Sequence, residues 1–131
     1  MIDHVRITVS DIVKSRDFYS QALGALGYVV CKRGLKTVSF GVLDGHGKSA
    51  DPGGEFWLSE SSPMVPRAHV AFSASSHQAV NAFFAAGSVA GGTNNGSPGH
   101  RSHYHPDYYA AFLLDPDGYN IEAVCHTGRV L

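Results

Sequence analysis

An internal repeat is the feature that most constrains the fold of this chain. An offset of 65 residues, about half of the 131-residue sequence, carries His4 onto His69 and Phe18 onto Phe83. A valine follows each of the two histidines, and in both halves an apolar strand pattern leads into a helix pattern. Self-similarity in one register and one structural context predicts two copies of the same folding unit.

Each half has the same predicted order of elements. The order is strand, helix and then three strands, with residues 2–9 and 67–73 as the opening strands. In the second half the helix is expected to stop at Gly87, the second strand is weak, and the glycine-rich residues 91–99 are expected to form a loop. The prediction is an α+β fold in a single domain, residues 1–131, with modules at about 1–60 and 67–131.

Composition excludes several classes of protein. Hydrophobic residues make up 44% of the chain and charged residues 16%, which supports a packed core. The net charge of -1 argues against a nucleic-acid partner, and no apolar run is long enough to span a membrane. There is no secretory pattern at the N-terminus, and Cys31 and Cys125 are far apart, so a cytoplasmic location is expected.

Strand alternation brings three potential metal ligands to one face of the predicted sheets. Val5, Ile7 and Val9 should pack under the first helix. His4, His69 and Glu122 then lie on faces without a helix. Two imidazoles and one carboxylate can hold a divalent first-row metal and leave positions open for substrate. Taken one at a time, a strand histidine or glutamate is more often structural or solvated.

The motifs around these residues resemble a known family. IDHVRITVSD around His4, RAHVAFSA around His69 and LDPDGYNIEAV around Glu122 are similar to the vicinal oxygen chelate superfamily, the glyoxalase, bleomycin resistance and dioxygenase family. The resemblance covers essentially the whole chain. It implies paired βαβββ modules with curled mixed sheets that enclose a metal-binding cleft.

The resemblance also implies the cofactor and the assembly. His4, His69 and Glu122 would bind one divalent metal, with Zn, Mn, Fe, Co and Ni all compatible with the ligand set. Members with a single pair of modules often form homodimers, so a homodimer is expected. Whether His4 joins the other two ligands from its own chain or from a partner stays open.

One position departs from the glyoxalase I pattern. The fourth ligand of those enzymes falls here on Trp57 or, with an offset of 64, on Leu58, and neither side chain can bind a metal. Glu55 lies close by and is the fallback for this position. Three protein ligands are the simpler interpretation, which is closer to the thiol-transferase and dioxygenase patterns.

Histidines and tyrosines concentrate in residues 100–109, just before a predicted strand. The His-x-His spacing of His103 and His105 allows a second metal site. A polar loop over the mouth of the cleft is the alternative, and a third interpretation has Arg101, Tyr104 or His105 contacting substrate as the loop closes. The predicted catalytic residues are His105 and Glu55, as candidates for the general base, and Glu122, as a metal ligand.

Aromatic side chains are expected to form the apolar wall of a small-molecule site. Trp57, Tyr108 and Phe112 are the predicted substrate-binding residues of this wall, although core packing alone would also explain them.

Two functions follow from these residues. The first is a metal-dependent lyase or isomerase, thiol transferase or dioxygenase that chelates a small oxygen-rich substrate through two oxygens. The second is a metal-free small-molecule or drug-binding protein of the bleomycin-resistance type. The sequence has no GxSxG elbow, phosphate loop or GxGxxG motif, so hydrolase and nucleotide-binding functions have no support.

Overall fold

The computed structural model describes residues 1–42 and 51–128 of the chain. The remaining parts of the predicted domain, residues 43–50 and 129–131, lie outside the described residues. The elements follow in the order β1 (Val5–Val9), α1 (Ile12–Gly24), β2 (Tyr28–Arg33), β3 (Thr37–Val42), β4 (Phe56–Glu60), β5 (His69–Ser73), α2 (His77–Val89), β6 (Thr93–His100), β7 (Tyr109–Leu114) and β8 (Asn120–Cys125).

The strands form two sheets of four strands, in the orders β1-β4-β3-β2 and β5-β8-β7-β6. In each sheet the first pair is parallel and the other pairs are antiparallel. Arg6 lies opposite Trp57 in the first sheet, and Ala71 lies opposite Glu122 in the second. The offset of 65 residues carries one of these pairs onto the other, so the predicted α+β fold of two βαβββ modules is confirmed.

Both helices begin at a residue whose side chain caps them. The Asp11 carboxylate accepts hydrogen bonds from the backbone N–H groups of Val13 and Lys14. The Ser76 hydroxyl accepts one from Ala79 N–H at the start of α2. Each cap satisfies donors that have no partner within the helix, which is worth about 1 kcal/mol.

A single hydrophobic core joins the two modules. Ile7 and Phe56 of the first sheet, Phe72 of the second and Phe18 and Phe83 of the helices are buried in the same cluster. The rings of Phe56 and Phe72 meet edge to face with centroids 5.1 Å apart. Since both sheets turn their apolar faces to this shared core, their opposite faces do not face each other. Among the described residues, the sheets of one chain are not closed around a metal site, which corrects that part of the prediction, although residues of both modules line a cavity.

The second module differs from the prediction at two elements. Helix α2 continues past Gly87 to Val89, and residues 93–100 form strand β6 where a loop was expected. Gly87 is kept in the helix by close packing, because a Cβ there would lie 2.4 Å from Leu113 Cδ1 and 3.2 Å from Ala22 Cβ. Strand β6 has little strand propensity of its own and is held by pairing with β7 across two irregularities in register.

The turn before β8 ties the second module to α1. Asp115 accepts hydrogen bonds from the Asp117 and Tyr119 backbone N–H groups at 2.8 and 2.9 Å and from the Tyr19 hydroxyl at 2.6 Å. Burial raises the pKa of Asp115 above its usual value, against the opposing effect of these donors. Gly118 completes the turn with φ of 88°, a conformation that favours glycine.

Two further observations concern the predicted location. Neither of the two 13-residue helices in residues 1–42 and 51–128 is long and apolar enough to cross a membrane. Cys31 and Cys125 are both free thiols.

Candidate metal centre

His69 and Glu122 meet on the face of the second sheet that lies away from the core. His69 opens β5, and Glu122 lies in the neighbouring parallel strand β8. The distance from His69 Nε2 to Glu122 Oε1 is 3.0 Å. The Glu122 side chain is only 3% exposed, whereas that of His69 is 47% exposed. The pair thus combines a buried carboxylate with an imidazole that reaches the surface.

The other nitrogen of His69 fixes which end of the ring is free. His69 Nδ1 lies 3.0 Å from the backbone carbonyl oxygen of Asn120, which can only accept a hydrogen bond. Nδ1 therefore carries a hydrogen and donates it. In a neutral imidazole this leaves a lone pair on Nε2 facing a carboxylate oxygen, and two acceptors at that distance repel unless they share a proton or bind the same metal ion. Metal-binding histidines commonly hold their second nitrogen in this way.

Tyr108 holds the other oxygen of the carboxylate. Its hydroxyl donates a short hydrogen bond to Glu122 Oε2. Desolvation, followed by the hydrogen bond to Glu122 and the charge of that residue, raises the pKa of Tyr108 to about 12. The phenol therefore stays protonated at neutral pH. Glu122 is oriented with one oxygen on Tyr108 and the other towards His69.

Phe112 and Arg101 extend this site along the same face. Phe112 lies opposite Glu122 in the β7–β8 register, and its ring stacks beside His69 with centroids 6.3 Å apart. The Arg101 guanidinium lies over Phe112 at 5.3 Å. Its two terminal nitrogens donate to the Gly99 and Ser97 carbonyl oxygens at 2.9 and 2.8 Å. The guanidinium group of Arg101 is therefore held by strand β6, and both of its terminal nitrogens already donate to backbone carbonyl groups.

The loop between β6 and β7 covers one side of the site with rings. Tyr104 is exposed and packs against Tyr108 at 4.8 Å and against His103 at 4.2 Å. His105 does not pair with His103, because its Nε2 instead lies 2.9 Å from His126 Nδ1. The structure thus brings Tyr108 and Phe112 to the His69–Glu122 pair, places Tyr104 against Tyr108, and directs His105 to a different partner.

The other predicted site residues lie in the first module. His4 precedes β1, with Nδ1 2.7 Å from Asp3 Oδ1, and lines a cavity of about 580 Å³ between the modules together with Glu55. Trp57 occupies β4 and donates from Nε1 to the Gly54 carbonyl oxygen at 3.1 Å. In the described part of one chain, no three His, Cys, Asp or Glu side chains come together. His4 is therefore not brought to His69 and Glu122 within a chain.

The strand registers also show which residue of this chain corresponds to the fourth ligand of glyoxalase I enzymes. Trp57 pairs with β1 as Glu122 pairs with β5, so an offset of 65 rather than 64 relates the two modules. Trp57 is the equivalent of Glu122, and it offers no metal ligand. Trp57 and Phe112 lie on different sheets.

Sequence reasoning missed three contributions. The Asn120 carbonyl, which orients His69, has no side-chain signature in the sequence. His126 shares the alternation of Glu122 along β8 but lies just beyond the strand end, and this pattern was the available signal. His77, whose position at the start of α2 gives no sign of burial in the sequence, is 6% exposed and stacks on Tyr109 with centroids 3.9 Å apart.

Two paired βαβββ modules, with His69 on the first strand and Glu122 on the last strand of the second module, define the class of fold. Residues 1–123 match the family model described as Glyoxalase/Bleomycin resistance protein/Dioxygenase superfamily. The chain belongs to this superfamily. Its members include many enzymes, and they often bind a divalent metal.

Solved structures show the same fold. A glyoxalase/bleomycin resistance protein from Albidiferax ferrireducens T118 is 29% identical, covers 97% of this chain and 99% of its own, and has a TM-score of 0.77. A family enzyme from Burkholderia phytofirmans PsJN is 20% identical with 95% and 98% coverage and a TM-score of 0.69. The V278E glyoxalase I mutant from Zea mays is 18% identical, with 94% of this chain matching 43% of that one and a TM-score of 0.65. A comparison with curated proteins finds no match.

Proposed function

We propose that this protein is a metal-dependent enzyme that chelates a small oxygen-rich substrate through two oxygens. The observation that carries the proposal is the 3.0 Å approach of His69 Nε2 to the buried Glu122 carboxylate while His69 Nδ1 is committed to Asn120. A cation between the two groups removes the repulsion that a neutral imidazole would create. Zn²⁺, Mn²⁺, Fe²⁺, Co²⁺ and Ni²⁺ all suit one imidazole and one carboxylate with further nitrogen ligands.

The third ligand of the proposed site is His4 of a second copy of the chain. Within the described part of one chain, His4 does not come together with His69 and Glu122. Strands β1 and β5 each end their sheet and have one edge without a partner strand among the described residues. Such edges favour pairing with another chain. A homodimer that covers them supplies His4 to the His69–Glu122 pair of its partner.

The residues around the pair have separate tasks in the proposed reaction. His69, Glu122 and the His4 of a second copy hold the metal, which supplies Lewis-acid polarisation of the substrate oxygens. Tyr108 keeps Glu122 oriented and shields its charge from water. Phe112 and Tyr104 offer apolar surface beside the ligands for the carbon part of the substrate.

Proton transfer needs a base near the substrate, and Glu55 is the better placed of the two candidates. Glu55 and His4 line the same cavity, so a second copy that contributes His4 brings Glu55 with it. His105 is engaged by His126 and by the Asp107 N–H group. This arrangement favours a lyase or isomerase with Glu55 as its base. It is also compatible with a thiol transferase whose reaction requires no protein base at the position of Glu55.

A metal-free binding protein is the second candidate. One observation favours it: if His69 carries protons on both nitrogens, the 3.0 Å contact with Glu122 is a satisfied ion pair. The rings of Tyr104, Tyr108 and Phe112 would then bind an organic molecule directly. The two candidates differ in whether removal of His69 changes metal affinity.

Metal binding is the first test. Purified protein is stripped with chelator and titrated with Zn²⁺, Mn²⁺, Co²⁺ and Ni²⁺ by calorimetry, and the reloaded protein is assayed with 2-oxoaldehyde–thiol adducts, epoxides and catechols. We expect the His69→Ala and Glu122→Gln variants to lose binding at this site by at least tenfold. The matched control is His103→Ala, whose ring packs against Tyr104 rather than against the His69–Glu122 pair. Unchanged affinity in His69→Ala would overturn the proposal and favour the metal-free protein.

Mixed dimers test the shared site. His4→Ala and Glu122→Ala proteins are unfolded together, refolded and titrated with metal. If the site spans two chains, every hybrid dimer contains one intact set of three ligands. Random assortment of equal amounts makes about half of all dimers hybrids, so about half of the dimers should regain one site each. If no binding returns, each chain must supply all of its own ligands.

A further inference from the structure

His105 and His126 form a pair of imidazoles that the proposed active site does not use. His105 lies in the loop before β7, and His126 directly follows β8. His105 Nε2 and His126 Nδ1 are 2.9 Å apart, and the rings are stacked at 28° with centroids separated by 5.2 Å. Tyr108 packs edge-on against both rings, at 5.3 and 5.2 Å. The pair therefore joins the loop to the end of the last strand.

The hydrogen-bond partners indicate which nitrogens of the two imidazoles carry hydrogen when no metal is bound. The Asp107 backbone N–H lies 3.2 Å from His105 Nδ1, so that nitrogen accepts. His105 then carries its proton on Nε2 and donates it to His126 Nδ1. This arrangement rests on one long hydrogen bond from Asp107. A shift of the His105 proton from Nε2 to Nδ1 gives up that bond and leaves two unprotonated nitrogens facing each other.

Two facing imidazole nitrogens at this separation match a pair of metal ligands. Nitrogens bound about 2.0–2.1 Å from one ion at a right angle are about 2.9 Å apart. We propose that His105 Nε2 and His126 Nδ1 form a second transition-metal site, separate from the His69–Glu122 centre, with water in the other positions. No group of three possible ligands occurs among residues 1–42 and 51–128, so two imidazoles are the protein's contribution.

The ligand type selects the metal. Imidazole suits Cu²⁺, Ni²⁺ and Zn²⁺, and affinities for nitrogen ligands rise along the series to Cu²⁺. His126 is exposed and His105 is half-buried, which leaves room for water ligands on the solvent side of the pair. A metal bound by both His105 and His126 would link the loop to the end of β8. It would also restrict the motion of Tyr108, which packs against both rings. The site does not depend on whether the first site binds a metal.

Copper titration of the His69→Ala protein tests the site, because this variant lacks a ligand of the first centre. We expect one equivalent of Cu²⁺ to bind, with a visible ligand-field band and electron paramagnetic resonance couplings to two imidazole nitrogens. Adding His126→Ala or His105→Ala should remove this equivalent. Adding His103→Ala should leave it unchanged, because His103 lies in the same loop but its ring packs against Tyr104 and not against the two histidines.

The fold of each variant is checked by circular dichroism, and His126→Gln and His105→Gln replace any alanine variant that does not fold. The proposal is overturned if the copper equivalent survives both histidine replacements, or if the His69→Ala protein binds none. A wild-type protein that binds copper at His105 and His126 but no metal at His69 would support this site while contradicting the proposed function.

Discussion

The hydroxyl of Tyr108 donates a hydrogen bond to Glu122 Oε2, on the opposite side of the carboxylate from His69. Glu122 is almost fully buried, and a buried carboxylate needs partners for both oxygens. Tyr108 is therefore the residue that allows a charged group to remain at this position with one oxygen free for a cation.

The first prediction concerns this hydrogen bond. The Tyr108→Phe variant keeps the ring packing against His105 and His126 but leaves Glu122 Oε2 without its donor. We expect metal affinity at the His69–Glu122 site to fall by about 10-fold to 100-fold, since partners that orient a ligand have effects of this size. Calorimetric titration measures the change. Tyr104→Phe is the control, because the Tyr104 ring packs against Tyr108 and His103 and this variant keeps that ring. Equal affinity in Tyr108→Phe and wild type would contradict the orienting role.

The second prediction compares two helix glycines. In Gly87→Ala the new Cβ meets Leu113 and Ala22, and we expect the free energy of unfolding to fall by about 1–3 kcal/mol from overpacking. In Gly24→Ala no atom lies within 4 Å of the new Cβ, so the variant should be neutral or up to about 1 kcal/mol more stable. Denaturant unfolding of both variants measures the difference. A stabilised Gly87→Ala protein would show that α2 can move away from Leu113.

The third prediction is a pH dependence of stability at Asp115. Its pKa is raised in the folded state, chiefly by burial, so the folded protein holds this proton to a higher pH than the unfolded chain does. The contribution to stability is complete below the unfolded pKa of about 3.9 and is lost as the pH rises through the folded pKa. The stability of wild type relative to Asp115→Asn should therefore decrease from about pH 4 upwards, until Asp115 is ionised in both states.

Denaturant unfolding at a series of pH values measures this difference. In the Tyr19→Phe background the decrease should extend to higher pH, because the Tyr19 hydroxyl is a donor that lowers the Asp115 pKa. A difference that is constant across the acid range would contradict the assignment.

The fourth prediction concerns assembly. The edges of β1 and β5 have no partner strand in the described chain, and exposed Met1 and Ile2 lie next to the first of them. We expect a homodimer of twice 14.0 kDa by light scattering at micromolar concentration. An Ala71→Pro substitution in β5 should weaken the dimer if this edge is at the interface, since proline cannot donate to a strand partner. A 14.0 kDa species for the wild type would contradict the prediction.

The sequence predicted the elements whose local pattern agrees with their packing. Alternation along residues 5–9 and 69–73 identified the opening strands, and the turn at residues 115–118 identified the start of β8. Strand β6 could not be predicted from TNNGSPGH, because its conformation comes from pairing with β7. The helix was predicted to end at Gly87 and does not. A glycine is needed there because of the close contact with Leu113, which is distant in sequence.

The same division holds for the candidate site. Period-two alternation and the repeat were enough to place His69 and Glu122 on one face, because the strand geometry of a residue is local. Only the tertiary structure decided that the two sheets turn their apolar faces to one core, which separates His4 from that pair within a chain. Only the tertiary structure paired His105 with His126 rather than His103, because loop conformation and the end of β8 together set that contact. Local patterns specify which way a side chain faces, whereas the packing of whole sheets determines which faces meet.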